Sequence, residues 1–192
     1  MSGIQPEAVV IGASAGALEA LSEILPALPA DFGLPLMIVV HMPPDRRSVL
    51  AELFQTKCRI KVREAEDKEP IDPGTAYFAP PDYHLLIEKD KCLSLSSDEP
   101  VLYSRPSIDV LFESAADAYG PTLIAIVLSG ANQDGAAGLK AVADAGGTAI
   151  VQSSQGAFAT AMPEAAKAIC PGAEVLSPRE IAAYLEKVSA HT

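Results

Sequence analysis

The run Val9-Val10-Ile11-Gly12-Ala13-Ser14-Ala15-Gly16 passes from continuous apolar residues through a Gly-x-Ser-x-Gly turn into a helical pattern. A short uninterrupted apolar run reads as a strand buried on both faces, and such a strand needs helices on each side to cover it. The serine sits where the strand hands over to the helix. There its hydroxyl is lifted off the carboxyl end of the sheet, and backbone N–H groups of the following helix converge beside it.

The same rhythm recurs along the chain. Leu18, Leu21 and Leu25 recur at helical spacing over 17–25, and Pro26 is expected to end that helix. Leu36-Met37-Ile38-Val39-Val40 is a second buried strand that delivers His41 at its carboxyl end, after which Met42-Pro43-Pro44 turns the chain off the sheet. Residues 48–56 read as a short helix and 59–63 as an edge strand, followed by an acidic, solvated loop over 64–69. Strands over 75–79, 84–88 and 92–96, the last two forming a hairpin about Lys89-Asp90-Lys91, make this middle section antiparallel in expectation. A helix over 107–119, a buried strand over 122–128, the turn-rich loop Ser129-Gly130-Ala131-Asn132-Gln133-Asp134-Gly135 and a helix over 136–145 restore the alternation. A strand over 148–152, a loop over 153–160 and helices over 163–169 and 178–188 complete it.

The expected fold class is therefore α/β: a doubly wound, mostly parallel sheet with helices on both faces and an antiparallel hairpin section in the middle of the chain. With 192 residues it is expected to be a single domain over 1–192. Ligands of such sheets sit beyond the carboxyl ends of the strands. Ser14, His41 and Asp134 each lie just past a strand end, so one edge of one sheet is expected to gather all three.

Those three residue types suit one chemistry. A serine hydroxyl attacks poorly at neutral pH unless a base takes its proton, and the imidazole of His41 is suited to that task. Asp134, on the far ring nitrogen, would hold the productive tautomer and stabilise the imidazolium that forms. The Ala15 amide, next after the serine, is the first candidate donor to an oxyanion. Each residue also has a plain structural reading: Ser14 as a helix cap, His41 as a packed histidine, Asp134-Gly135 as a turn. The chain order Ser, His, Asp differs from the Ser, Asp, His order of α/β-hydrolases, so the Gly-x-Ser-x-Gly motif does not by itself place the chain in that fold. A dinucleotide site is disfavoured because the G-x-G-x-x-G spacing is missing and His41 stands where an acidic residue is expected.

Several blocks together are more specific. Gly12-Ala13-Ser14-Ala15-Gly16, His41-Met42-Pro43, Arg105-Pro106-Ser107-Ile108-Asp109-Val110-Leu111-Phe112, Leu128-Ser129-Gly130 through Asp134-Gly135-Ala136-Ala137-Gly138, and Ala161-Met162-Pro163 resemble the catalytic domain of the CheB chemotaxis methylesterases. The resemblance runs in order from about Val9 to about Leu176. It implies a serine esterase that removes methyl esters from glutamate side chains on the cytoplasmic helices of chemoreceptors, releasing methanol, and that also deamidates receptor glutamines. By position the nucleophile falls on Ser14, the base on His41 and the acid on Asp134. Three departures from the family pattern stand out: Ala15 and Ala17 where threonine and glycine are usual, Ala131 where methionine is common in a loop able to supply a second oxyanion amide, and Asn132 in place of a glycine. A weakly active or silent signalling module is the competing expectation. The family's receiver domain needs about 120 residues, and eight precede Val9 here, so no receiver domain is expected in this sequence: it is either an excised piece or a stand-alone version open to a regulatory partner in trans.

Other features narrow the partners. The formal net charge of −11 repels a nucleic-acid backbone, so none is expected. No apolar run reaches the roughly 18 residues of a spanning helix, and the N-terminus lacks a basic region followed by an apolar core. A cytoplasmic protein with no membrane insertion is expected. Cys58, Cys92 and Cys170 read as inert thiols. Neither His84 in the hairpin nor His191 in the tail completes a metal set, and neither metal nor cofactor is expected. Arg105 is a candidate substrate contact or sheet-edge cap.

Overall fold

The computed structural model describes residues 4–43 and 48–190; the turn expected at Pro44 and the tail residue His191 lie outside them. Nine strands are described: β1 (Ala8–Ala13), β2 (Leu36–Val40), β3 (Lys61–Glu64), β4 (Thr75–Phe78), β5 (His84–Ile87), β6 (Leu93–Ser96), β7 (Leu123–Val127), β8 (Thr148–Gln152) and β9 (Glu174–Leu176). The helices are α1 (Ala17–Ile24), α2 (Leu50–Gln55), α3 (Ile108–Tyr119), α4 (Ala136–Asp144), α5 (Ala161–Ile169) and α6 (Pro178–Ser189).

Seven strands form one sheet in the order β3-β4-β2-β1-β7-β8-β9, and every pairing within it is parallel. β1 is central and wholly buried, and successive side chains enter opposite cores. Ala8 and Val10 face the core that also holds Ile108, Leu111 and Phe112 of α3 and Leu139 and Val142 of α4. Val9, Ile11 and Ala13 face the core that also holds Leu21 and Ile24 of α1, Phe54 of α2, and Ile181 and Leu185 of α6. The continuous apolar runs follow from this: neither face of β1 or β7 looks at water, so no position in them calls for a polar residue.

The middle section differs from its expectation. β3 and β4 run parallel in the main sheet, with Ala76 paired to Leu36 of β2, and only β5 and β6 are antiparallel, as a separate two-stranded ribbon. The acidic loop is what joins them. Instead of lying free in solvent it docks on β6: Lys68 N–H donates to Leu93 O, Leu93 N–H to Glu69 O, and Leu95 N–H to Asp67 Oδ1, each at 2.9 Å. Ala65 and Glu69 are buried by that docking, and Glu69 pairs with Arg63. A ten-residue crossover without a helix thus replaces the helix that parallel neighbours normally need, because the ribbon covers it.

Two smaller differences have local causes. α5 begins at Ala161, with Pro163 in its first turn, where the missing amide has no intrahelical partner to lose. β9 has only three residues and lies at an exposed sheet edge, so it leaves no apolar signature. The three cysteines are free thiols, and burial pushes Cys58 up to about 11.

Candidate active site

Ser14 and His41 leave neighbouring strands at the same level. Ala13 is paired with Val40, and His41 N–H donates to Ala13 O at 3.1 Å, so the two residues step off the sheet side by side. On the other flank of β1, Leu128 N–H donates to Gly12 O (2.8 Å) and Ser14 N–H to Ser129 O (2.9 Å). Ser14 therefore emerges from the centre of the sheet with its backbone fixed on both sides. β2 and β7 flank β1 and are reached by connections of opposite sense, which opens the crevice that doubly wound sheets use for ligands.

The two glycines of the serine turn have distinct physical reasons. A Cβ on Gly12 would collide with the side chain of Ile108, so glycine there lets α3 close onto β1. Gly16 has φ 84°, and a Cβ would lie 2.6 Å from Ser129 Oγ, so both backbone and space require glycine. Ser129 ties the turn down. Its hydroxyl lies 2.7 Å from Ala15 O and 3.0 Å from Ala159 O as donor, and accepts Ala159 N–H at 2.9 Å.

Asp134 is fully buried and is shared between His41 and the start of α3. Oδ2 accepts from His41 Nε2 (2.7 Å) and Ile108 N–H (2.7 Å); Oδ1 accepts from Ser107 Oγ (3.0 Å) and Asp109 N–H (2.9 Å). Ser107 is the N-cap of α3 but makes no side-chain cap bond of its own. Asp134 supplies the cap from 25 to 27 residues away in sequence. Asp109, in the first turn of α3, returns the favour: its Oδ1 accepts Gly135 N–H (2.9 Å) and Gly138 N–H (2.7 Å) at the start of α4. Each of the two helices is capped by an acid belonging to the other's segment. Burial alone would raise the Asp134 pKa, but the hydrogen bonds from His41 and the α3 amides outweigh it and hold the carboxyl below its usual range. Burial pushes Asp109 up to about 6, with the Asp134 charge adding to the rise.

The buried carboxylate also orients the imidazole. With Nε2–H directed at Asp134, Nδ1 is the free acceptor, and Asn132 Nδ2 stands 3.4 Å from it. Asn132 Oδ1 in turn accepts Asp134 N–H at 3.0 Å. The half-buried Ser14 side chain forms no hydrogen bond among the described residues. The structure thus brings His41 and Asp134 into contact and sets Ser14 at the adjacent strand end.

Among the described residues the Ala15 and Ala131 amides donate to no protein acceptor, and Ala131 is exposed. Arg105 is held elsewhere: Nε and Nη2 donate to Asp82 Oδ1 (3.0 and 2.7 Å), and Nη1 to Ser97 O and Asp98 O (2.9 and 3.1 Å). Its guanidinium ties two loops together beside a hollow of about 120 Å³ that His41 also lines.

Sequence reasoning set His84 aside, yet it belongs to the support of this site. His84 is buried, its Nδ1 accepts Ser107 N–H (3.1 Å), and its Nε2 therefore carries the proton donated to Glu99 O (3.0 Å). A continuous hydrogen-bonded path runs from Glu99 through His84, Ser107 and Asp134 to His41. The only sequence signal for it was the Ser107-Ile108-Asp109 block. Among the described residues no group of three His, Cys, Asp or Glu side chains could hold a metal ion, and no helix is long and apolar enough to cross a membrane.

This geometry has close counterparts. A Leptospira interrogans protein is 48% identical over 176 residues, covering 92% of this chain and 91% of its own length. The Azospirillum brasilense protein-glutamate methylesterase/protein-glutamine glutaminase is 35% identical over 188 residues, and this chain spans 48% of it. The crystal structure of the Thermotoga maritima CheB methylesterase catalytic domain superposes with a TM-score of 0.89 at 33% identity, over 96% of this chain and 100% of that one. The family model described as CheB methylesterase matches residues 9–185, a span that begins in β1, ends in α6 and includes Ser14, His41 and Asp134. With the fold and nearly the whole length in common, the chain belongs to the CheB methylesterase family.

Proposed function

We propose that this chain is a protein-glutamate methylesterase acting on chemoreceptor glutamates, with Ser14 as nucleophile, His41 as general base and Asp134 as its orienting acid. The observation that carries the mechanism is the 2.7 Å contact between His41 Nε2 and buried Asp134, one strand away from Ser14. Ser14 Oγ attacks the ester carbonyl carbon while His41 Nδ1 takes its proton. The Ala15 and Ala131 amides stabilise the oxyanion, each such donor being worth about 3 kcal/mol. As the C–O bond to the methoxy group breaks, Nδ1 returns the proton and methanol leaves. A water, deprotonated at Nδ1, then cleaves the glutamyl–Ser14 ester and regenerates the carboxylate and the free serine. With a glutamine amide the same steps release ammonia.

The substrate is the cytoplasmic helical region of the receptor, which fits an open sheet edge better than a deep apolar pocket would. We read the chain as one catalytic unit that works in the cytoplasm. Methanol release from methylated receptor cytoplasmic fragments, abolished in Ser14→Ala and His41→Ala, is the test. No release from the unaltered protein would overturn the reading. One observation favours the rival, a weakly active signalling module: Asn132 Nδ2 lies against the Nδ1 lone pair that the nucleophile needs. Under that reading the unaltered chain turns over ester slowly or not at all, and Asn132→Gly, which frees Nδ1, raises the rate.

A further inference from the structure

A tight turn beside the site carries bulky side chains where glycine and asparagine belong. Val101 N–H donates to Ser104 O (3.0 Å) and Ser104 N–H to Val101 O (2.9 Å), closing a two-residue hairpin loop. Its tip residues, Leu102 and Tyr103, have φ 49° and 64°. Two consecutive positive φ values define the mirror-image turn that Asn-Gly adopts readily and large apolar residues seldom do. Packing within the fold does not explain the choice, because Tyr103 is entirely exposed (103%) and Leu102 is 42% exposed. Strained positions that no local packing accounts for concentrate at functional sites.

The position of the tip gives the strain a use. Tyr103 lines the hollow that holds His41 on one side, and on the other a second hollow of about 450 Å³ with Asn132 and Ala161. It stands as a ridge between two depressions at the carboxyl edge of the sheet. The base of the ridge is firm, since Arg105 binds Asp82 and the carbonyls of Ser97 and Asp98 immediately after the turn. The tip itself is uncharged on a chain of net charge −11, which matches an uncharged ester or amide set among apolar side chains rather than a basic peptide.

We propose that Leu102 and Tyr103 are specificity-determining residues that seat the substrate polypeptide, packing against apolar side chains next to the glutamyl ester and holding that ester over Ser14 and His41. The proposal rests on the esterase reading above. It places the discrimination between a receptor segment and any small ester in this turn, since a small ester has nothing to reach the ridge. The turn lies outside the hydrogen-bonded path to Asp134, so its role is in binding.

The test compares Tyr103→Ala, and the double replacement Leu102→Asn with Tyr103→Gly, with the unaltered protein. Asn-Gly suits the observed turn, so that variant keeps the loop closed while removing the side chains. The readouts are kcat/KM for methanol release from a methylated receptor cytoplasmic fragment, kcat/KM for p-nitrophenyl acetate, and the thermal midpoint. The ratio of the first to the second should fall at least tenfold in both variants, through a higher KM for the receptor fragment. The Asn-Gly protein should melt no lower than the unaltered one. An unchanged ratio would overturn the proposal, as would a lowered melting temperature in the Asn-Gly variant. Failure of the esterase reading would look different: the unaltered protein would be inert toward both substrates, and the proposal would fall with it.

Discussion

Replacing Asp134 by asparagine should damage stability as well as turnover, because both carboxylate oxygens face an α3 amide. Oδ1 accepts Asp109 N–H and Oδ2 accepts Ile108 N–H. Whichever way an asparagine is turned, its NH₂ group meets one of these donors, so one buried N–H is left without a partner. Such a group costs about 1–3 kcal/mol, and losing the negative charge at a partly buried helix N-terminus adds up to about 2 kcal/mol. The expected loss is roughly 2–4 kcal/mol, or roughly 5–15 °C in the thermal midpoint for a chain of this length. Turnover should fall by about 10⁴, the scale of the same replacement in a serine-protease triad. Urea unfolding at pH 7 of Asp134→Asn beside Ser14→Ala separates the effects, since Ser14→Ala should stay within about 0.5 kcal/mol of the unaltered protein. The Asp134 pKa is lowered by folding, so its contribution is complete above the unfolded value near 3.9 and is lost as pH falls through the folded value. The gap between the two proteins should hold from pH 8 to about 4 and close below that. An Asp134→Asn protein that unfolds at the unaltered midpoint would refute the shared-cap argument.

Three further outcomes follow from the same network. Asp109 is raised to about 6 from 3.8, so the folded state binds the extra proton between those values and stability falls as pH rises across that interval; Asp109→Asn keeps an acceptor for Gly135 and Gly138 and should remove this slope in pH-dependent unfolding. His84→Leu strands Ser107 N–H and Glu99 O and should cost about 2–4 kcal/mol with a fall in kcat, whereas His84→Asn retains an acceptor for Ser107 and should lose about half as much in urea titrations. Gly12→Ala pushes Ile108 away and should cost about 1–3 kcal/mol. Adding Ile108→Ala makes room, so a double-mutant cycle should show coupling and partial recovery of esterase activity.

The legible part of this protein was the part written locally. Val9–Ile11, Leu36–Val40 and Leu123–Val127 are apolar throughout because both sheet faces are covered, and that alone placed Ser14, His41 and Asp134 at strand ends. The orientation of β3 and β4 was not legible, since a four-residue strand carries the same alternation in either direction and the covering ribbon that permits a helix-free crossover is a tertiary contact. The roles of Ser107, Asp109 and His84 were hidden for a related reason: each acts on a partner 23 to 29 residues away, at a distance no periodicity encodes. Arg105 looked available in sequence because a guanidinium before proline shows no partner there. In three dimensions Asp82 and two carbonyls take it up.

The central claim is that Ser14 is a nucleophile made reactive by the His41–Asp134 pair. Its most direct measurement is intact-mass and peptide-mapping analysis after treatment with a fluorophosphonate, on the unaltered protein and on His41→Ala. A single adduct on the peptide containing Ser14, formed in the unaltered protein and at least a hundredfold slower in His41→Ala, is the predicted result, in line with general-base contributions of about 10²–10⁴. No adduct, or one on another residue, would contradict the claim.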